Sequence, residues 1–178
     1  VQPEDMPRFV GHIRSEAQRL VTLINDIIRL SELDEGGALP MEPVELLTLC
    51  RDTAAGLSAA AEKRHVTVSV TGEEVTVPGV RRLLSEVFAN LCDNAIKYNV
   101  DGGSVAIHVS RKGDNACVTV SDTGIGIPAE HQSRVFERFY RVDKSHSKSS
   151  GGTGLGLSIV KHAVAYHHGT VELDSREG

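Results

Sequence analysis

Asn90 and Asn94 stand four residues apart in the segment EVFANLCDNAIKYN, a spacing that puts both carboxamides on one face of a helix. A carboxamide oxygen is a hard, neutral ligand suited to Mg²⁺, which keeps several waters and takes its remaining oxygens from substrate phosphates. Glu86 lies a turn before the pair and Lys97 nearly a turn beyond it, so a cation for phosphate charge sits on the same helix. Tyr98 adds a flat ring against which a base could stack. A solvated polar helix face is the alternative for two Asn taken alone. Asn is a poor helix former, however, and two of them without capping roles count against that alternative.

Two further segments complete the chemistry. Asp122 opens DTGIGIP at the end of a predicted strand, where its carboxylate could accept a hydrogen bond from an exocyclic amine such as adenine N6. Gly124 and Gly126 would let the backbone approach a ligand closely. An ordinary turn after a strand explains the same residues. Gly151, Gly152, Gly154 and Gly156 open a predicted helix in GGTGLGLSIVKH, and amide groups at such a terminus bind phosphate. No GxxxxGK[ST] occurs and no dinucleotide-type crossover precedes the glycines, which disfavours the two commonest nucleotide folds. Carboxamides for metal and phosphate, a carboxylate for the base and a Gly-rich turn for the phosphate tail, in that order, describe an ATP site.

The elements that must carry these residues follow from periodicity. Phe9, Ile13, Ala17, Leu20, Ile24 and Ile27 recur three and four apart, widened by Leu23, Ile28 and Leu30, and predict a single amphipathic helix over residues 7–33. Arg14, Glu16, Arg19 and Asp26 lie off that stripe, and Asp34-Glu35-Gly36-Gly37 ends it. Such a helix would be about 40 Å long, so its seam calls for a partner helix. A second helix is expected over 44–64, strands over 65–70 and 75–77, and a turn at Pro78-Gly79 before the Asn-bearing helix. Residues 105–111 and 116–121 form a predicted hairpin. Residues 134–142 look helical before a polar stretch read as a mobile loop, then 153–168 resumes a helix and 170–173 a final strand.

The 178 residues suffice for one ordinary core plus an appended element. A net charge of −5, with scattered rather than striped Lys and Arg, argues against a nucleic-acid partner. Cys50, Cys92 and Cys117 lack paired metal spacing and read as small thiols in a reducing compartment.

Four segments together resemble the boxes of sensor histidine kinases. Residues 90–98 (NLCDNAIKY) resemble the N box, 122–128 (DTGIGIP) the G1 box, 136–140 (FERFY) the F box and 152–157 (GTGLGL) the G2 box. The resemblance covers nearly the whole chain. It implies an α+β Bergerat fold, a two-layer sandwich of a mixed sheet on helices, preceded by the long amphipathic helix. Residues 1–37 would be the second helix of a dimerisation and phosphotransfer region, and 38–178 an ATP-binding catalytic domain lacking its last strand.

By the same resemblance Asn90 would bind Mg²⁺, Asn94 the metal–phosphate assembly and Lys97 a phosphate. Tyr98 would flank the adenine, Asp122 would bind its amine, and Gly124, Gly126 and Ile127 would shape the pocket around it. Gly152, Thr153, Gly154 and Gly156 would bracket the phosphates under Leu155 and Leu157. Arg138 and Arg141 would meet the γ-phosphate, while Phe136 and Phe139 would anchor a lid over about 141–152. Glu86 is a candidate base, a solvated carboxylate being the alternative.

The family's acceptor is a His followed by an acidic residue, and none of the eight His here has that neighbour. The chain is therefore expected to bind Mg·ATP and to need an acceptor helix from elsewhere in its parent protein. A response regulator downstream, a homodimeric parent and a cytoplasmic domain beneath a membrane anchor are further implications, and the unpaired seam could drive self-association of the fragment. An ATP-gated interaction module of the chaperone, mismatch-repair or anti-sigma type is the second reading.

Overall fold

The computed structural model describes residues 6–34, 39–142 and 152–177. Helix α1 (Met6–Asp34) matches the predicted periodicity. Most of its apolar seam faces solvent: Phe9, Ile13, Leu20, Ile24 and Ile27 are all about half exposed. Toward its C-terminal end Leu30 and Leu23 pack on Leu155 and Ile159, far along the chain.

The core begins with strand β1 (Glu42–Glu45), followed by helices α2 (Leu46–Gly56) and α3 (Ser58–Lys63). The single helix expected over 44–64 is thus corrected at its start and in its middle. Val44 pairs with Val77 in an antiparallel ladder to β3 (Thr76–Gly79), which also absorbs the predicted turn at Pro78-Gly79. Glu45 then caps α2, its carboxylate accepting from the Leu47 and Thr48 amides at 2.9 and 2.6 Å. A cap needs a non-helical backbone, and that is what separates strand from helix here. The Thr48 side chain, followed by these amides, holds the Glu45 carboxyl below its ordinary value. At Gly56–Leu57 the helix breaks, and Leu57 ends α2 while starting α3.

Strand β2 (Thr67–Gly72) runs parallel to β4 (Ser104–Lys112), and β4 runs antiparallel to β5 (Asn115–Asp122), giving a mixed sheet of order β2-β4-β5. A parallel pair requires a crossover, and helix α4 (Arg81–Lys97) lies within it. Inward-facing Val105, Ile107 and Val109 alternate with exposed neighbours along β4, the period-2 pattern of a half-buried strand. Leu83, Val87, Phe88, Cys92 and Ile96 of α4 join the same core, as do Val160 and Ala163 of α6 (Gly156–Tyr166). The result is a mixed sheet with helices packed against it, the α+β architecture expected. Burial pushes the Cys50 thiol up to about 12 and the Cys92 thiol up to about 11, so both stay neutral inside the core.

Two further expectations fail. Residues 134–142 form turns after the short helix α5 (Ala129–Gln132) rather than a helix. Among the described residues no strand follows α6, so the strand expected at 170–173 is absent. A strand exists only when its backbone groups are paired, and no described ladder runs beside 170–173. Among the described residues no helix is long and apolar enough to cross a membrane.

Candidate nucleotide site

Helix α4 buries Leu83, Val87, Phe88, Cys92 and Ile96. Its partly exposed flank carries Glu86, Asn90, Asn94 and Lys97. The Asn90 Nδ2 donates to the Glu86 carbonyl at 2.9 Å, which orients the carboxamide with Oδ1 outward. That oxygen faces Gly156 so closely that a Cβ there would lie 2.7 Å from it. A side chain at 156 would force the Asn90 carboxamide to shift. Asn94 is half-buried one turn further on. The Glu86 side chain is only 13% exposed and pairs with Arg82 at 3.4 Å, which corrects the picture of a solvated carboxylate.

At the C-terminal end of α4, Lys97 Nζ stands 5.3 Å from the Tyr98 ring centroid and beside Gly152, where a Cβ would lie 2.9 Å from it. Arg141 reaches the same glycine, its Nη1 donating to the Gly152 carbonyl at 2.6 Å. Lys97, Tyr98, Arg141 and Gly152 thus converge from three segments. Gly154 has φ +77°, and its carbonyl accepts from the Phe139 amide at 3.0 Å. Phe139 itself has φ +64° and is 59% exposed. Its described anchoring is therefore through backbone. Arg138 points elsewhere, toward His162 Nε2 at 3.1 Å.

Helix α6 starts at Gly156, the last glycine of the motif. Leu155 is fully buried beneath the turn with Ile159 and Leu30, whereas Leu157 is half-buried. Gly151 and residues 143–150, most of the expected lid, lie outside the described residues.

The base-side loop is built differently. Asp122 is exposed, not turned to a buried side, because it is the last residue of β5; its Oδ1 accepts from the Gly124 amide at 2.8 Å. Gly124 lies against the Tyr98 carbonyl, which accepts from the Ile125 amide at 3.1 Å. The Thr123 hydroxyl accepts from Ser104 N–H at 2.8 Å and donates to Asn99 Oδ1 at 3.1 Å. Asn99 Nδ2 in turn donates to the Ala95 and Ser104 carbonyls. Asn99 and Thr123 were unassigned from sequence. An Asn just beyond a helix end and a Thr just after a strand were the available signals. On the far side, Ile127 N–H donates to Ser175 Oγ at 2.9 Å, and Gln132 ties the Ile127 and Ser175 carbonyls together.

The fit to a metal–nucleotide is a matter of donor chemistry. Two carboxamides on α4, a Lys and an Arg around Gly152, and glycines where a Cβ would fill the cradle suit Mg²⁺ and phosphate. No cluster of three or more His, Cys, Asp or Glu exists among the described residues, so a transition-metal centre has no ligand set there.

The chain belongs to the histidine kinase-, DNA gyrase B- and HSP90-like ATPase family, whose model matches residues 79–178. It is 38% identical over 180 residues to the sensor-like histidine kinase SenX3 of Mycolicibacterium smegmatis, covering 99% of this chain and 46% of that relative. It spans less than half the length of such kinases. Among solved structures, the mycobacterial sensor histidine kinase MprB aligns with TM-score 0.61 and 31% identity, over 72% of this chain and 80% of that one. Full-length ShkA in complex with AMPPNP aligns with TM-score 0.76 and 26% identity, over 90% of this chain and 34% of that one. Within the family, then, this is the ATPase domain of a sensor histidine kinase.

Proposed function

We propose that residues 38–178 bind Mg·ATP between α4 and the Gly-rich turn and present its γ-phosphoryl group to a histidine on a helix outside this sequence. Residues 1–37 are read as the second helix of the dimerisation and phosphotransfer region. The observation that supports this reading best is the closure of Gly156 on Asn90 Oδ1, together with the convergence of Lys97 and Arg141 on Gly152.

In this reading Asn90 and Asn94 hold the metal, which supplies charge neutralisation for the phosphates. Lys97 and Arg141 offset phosphate charge, and the amides of the Gly-rich turn orient the phosphate tail. Asp122 receives the adenine amine on its open Oδ2 side, with Tyr98, Gly124, Gly126 and Ile127 around the base. Phe139, Thr153, Leu155 and Leu157 complete the enclosure, and Arg138 would join it only by leaving His162. Phosphoryl transfer needs positioning and electrostatics more than covalent help, which suits a site whose one candidate base, Glu86, is already ion-paired. The parent protein is read as a homodimer with its catalytic part in the cytoplasm beneath a membrane anchor, passing phosphate to a response regulator.

The test has two stages. The chain alone should bind Mg·ATP without incorporating acid-labile phosphate. Mixed with the parent's acceptor-helix domain, it should produce phosphohistidine. Nucleotide-dependent binding of that domain without transfer would contradict the kinase reading in favour of an ATP-gated module.

A further inference from the structure

Asp26 sits three residues after Leu23 and four before Leu30, so it shares the face of α1 that packs on Leu155 and Ile159. Sequence periodicity put it off the apolar stripe; the fold puts it inside the docking face. A half-buried carboxylate amid apolar contacts needs a hydrogen-bond partner. Thr153 of the Gly-rich turn supplies it, the hydroxyl donating to Asp26 Oδ2 at 2.8 Å across 127 residues of sequence. With its proton committed to Asp26, the same oxygen accepts from the Leu155 amide at 3.3 Å. Leu155 immediately precedes α6 and no side chain caps that helix. The chain of bonds therefore runs from α1 through Thr153 into the turn that starts α6.

The geometry points to Asp26 as a positioning residue: α1 sets the shape of the Gly-rich turn, and through it nucleotide affinity, by holding the Thr153 hydroxyl. The affinity part rests on the nucleotide reading above. What matters is the acceptor oxygen of Asp26 rather than its charge, since an uncharged acceptor at the same place would orient the hydroxyl equally. Asp26 touches no phosphate in this scheme and acts only through Thr153.

Two readouts on the whole chain test it: hydrogen exchange at the Leu155 amide, and affinity for Mg²⁺ with a non-hydrolysable ATP analogue. Asp26→Ala and Thr153→Val should each speed Leu155 exchange and each weaken analogue binding about five-fold, the scale of one hydrogen bond. The double variant should be no worse than Thr153→Val alone. Asp26→Asn and Thr153→Ser should restore wild-type values. Unchanged exchange in Asp26→Ala, multiplicative losses in the double variant, or an Asp26→Asn as damaged as the Ala variant would each overturn the assignment. If the unaltered chain binds no analogue, the nucleotide reading fails, while the exchange measurement still decides whether Asp26 positions the turn.

Discussion

The two sides of the candidate site are held by different means. The base-side loop after β5 is fastened by a network lying wholly within the catalytic domain: Thr123, Asn99, Ser104 and the Tyr98 carbonyl. The phosphate-side turn is fastened by Arg141, by the Phe139 amide and by Asp26 on α1, three attachments from outside the turn's own helix. A loop locked into the core cannot be adjusted without cost to the fold. A turn held by a remote helix can be adjusted by moving that helix, so control over nucleotide handling belongs on the phosphate side.

The comparison is broken most severely at Gly156. A Gly156→Val side chain would displace Asn90 Oδ1, and if the overpacking cost of about 1–3 kcal/mol falls on the bound state it lowers nucleotide affinity roughly 5- to 150-fold by titration calorimetry. Next comes Thr123→Val on the base side. It strands the Ser104 amide and should lower unfolding free energy by about 1 kcal/mol together with nucleotide affinity. Asp26→Ala should lower affinity alone. A Thr123 variant with full thermal stability, or an Asp26 variant that unfolds early, would reverse the contrast.

The core beneath both sides carries a separate, pH-dependent effect. The thiols of Cys50 and Cys92 titrate higher folded than their ordinary value of 9.0, so the unfolded chain loses those protons first. Their contribution to stability is full below 9.0 and fades as pH rises toward about 11 and 12. Denaturant titrations from pH 8 upward should show that loss, shallower in Cys50→Ala. Smaller still is Glu45, whose carboxyl is held low when folded. Its stabilisation is present above the ordinary carboxylate value and lost as pH falls through the folded one, so Glu45→Gln should flatten the acid limb of the stability profile.

The parts legible in the sequence were those whose signal is local. The stripe of α1, the apolar face of α4 and the alternation of β4 across from β5 all come from side chains a few residues apart. Strand β1 was hidden because Val44 and Glu45 adjoin a helical run, and only pairing with Val77 and Thr76 makes them a strand. The turns at 134–142 likewise depend on a long-range bond, from Phe139 to Gly154, that no local pattern encodes. Motif order brought Asn90 together with Gly156 and Lys97 with Gly152. Asp26 carries no local signal of its role, since its partner Thr153 is distant in sequence and a charge off the stripe predicts an outward face.

The central claim is that nucleotide sits between α4 and the Gly-rich turn, and it is tested most directly by titrating ¹⁵N-labelled protein with Mg²⁺ and a non-hydrolysable ATP analogue. The account predicts large shifts at the Gly152, Gly154 and Gly156 amides and at the Asn90 and Asn94 side chains. It also predicts that the Asn90 and Asn94 side-chain shifts depend on Mg²⁺. Shifts absent from those amides and side chains would contradict it.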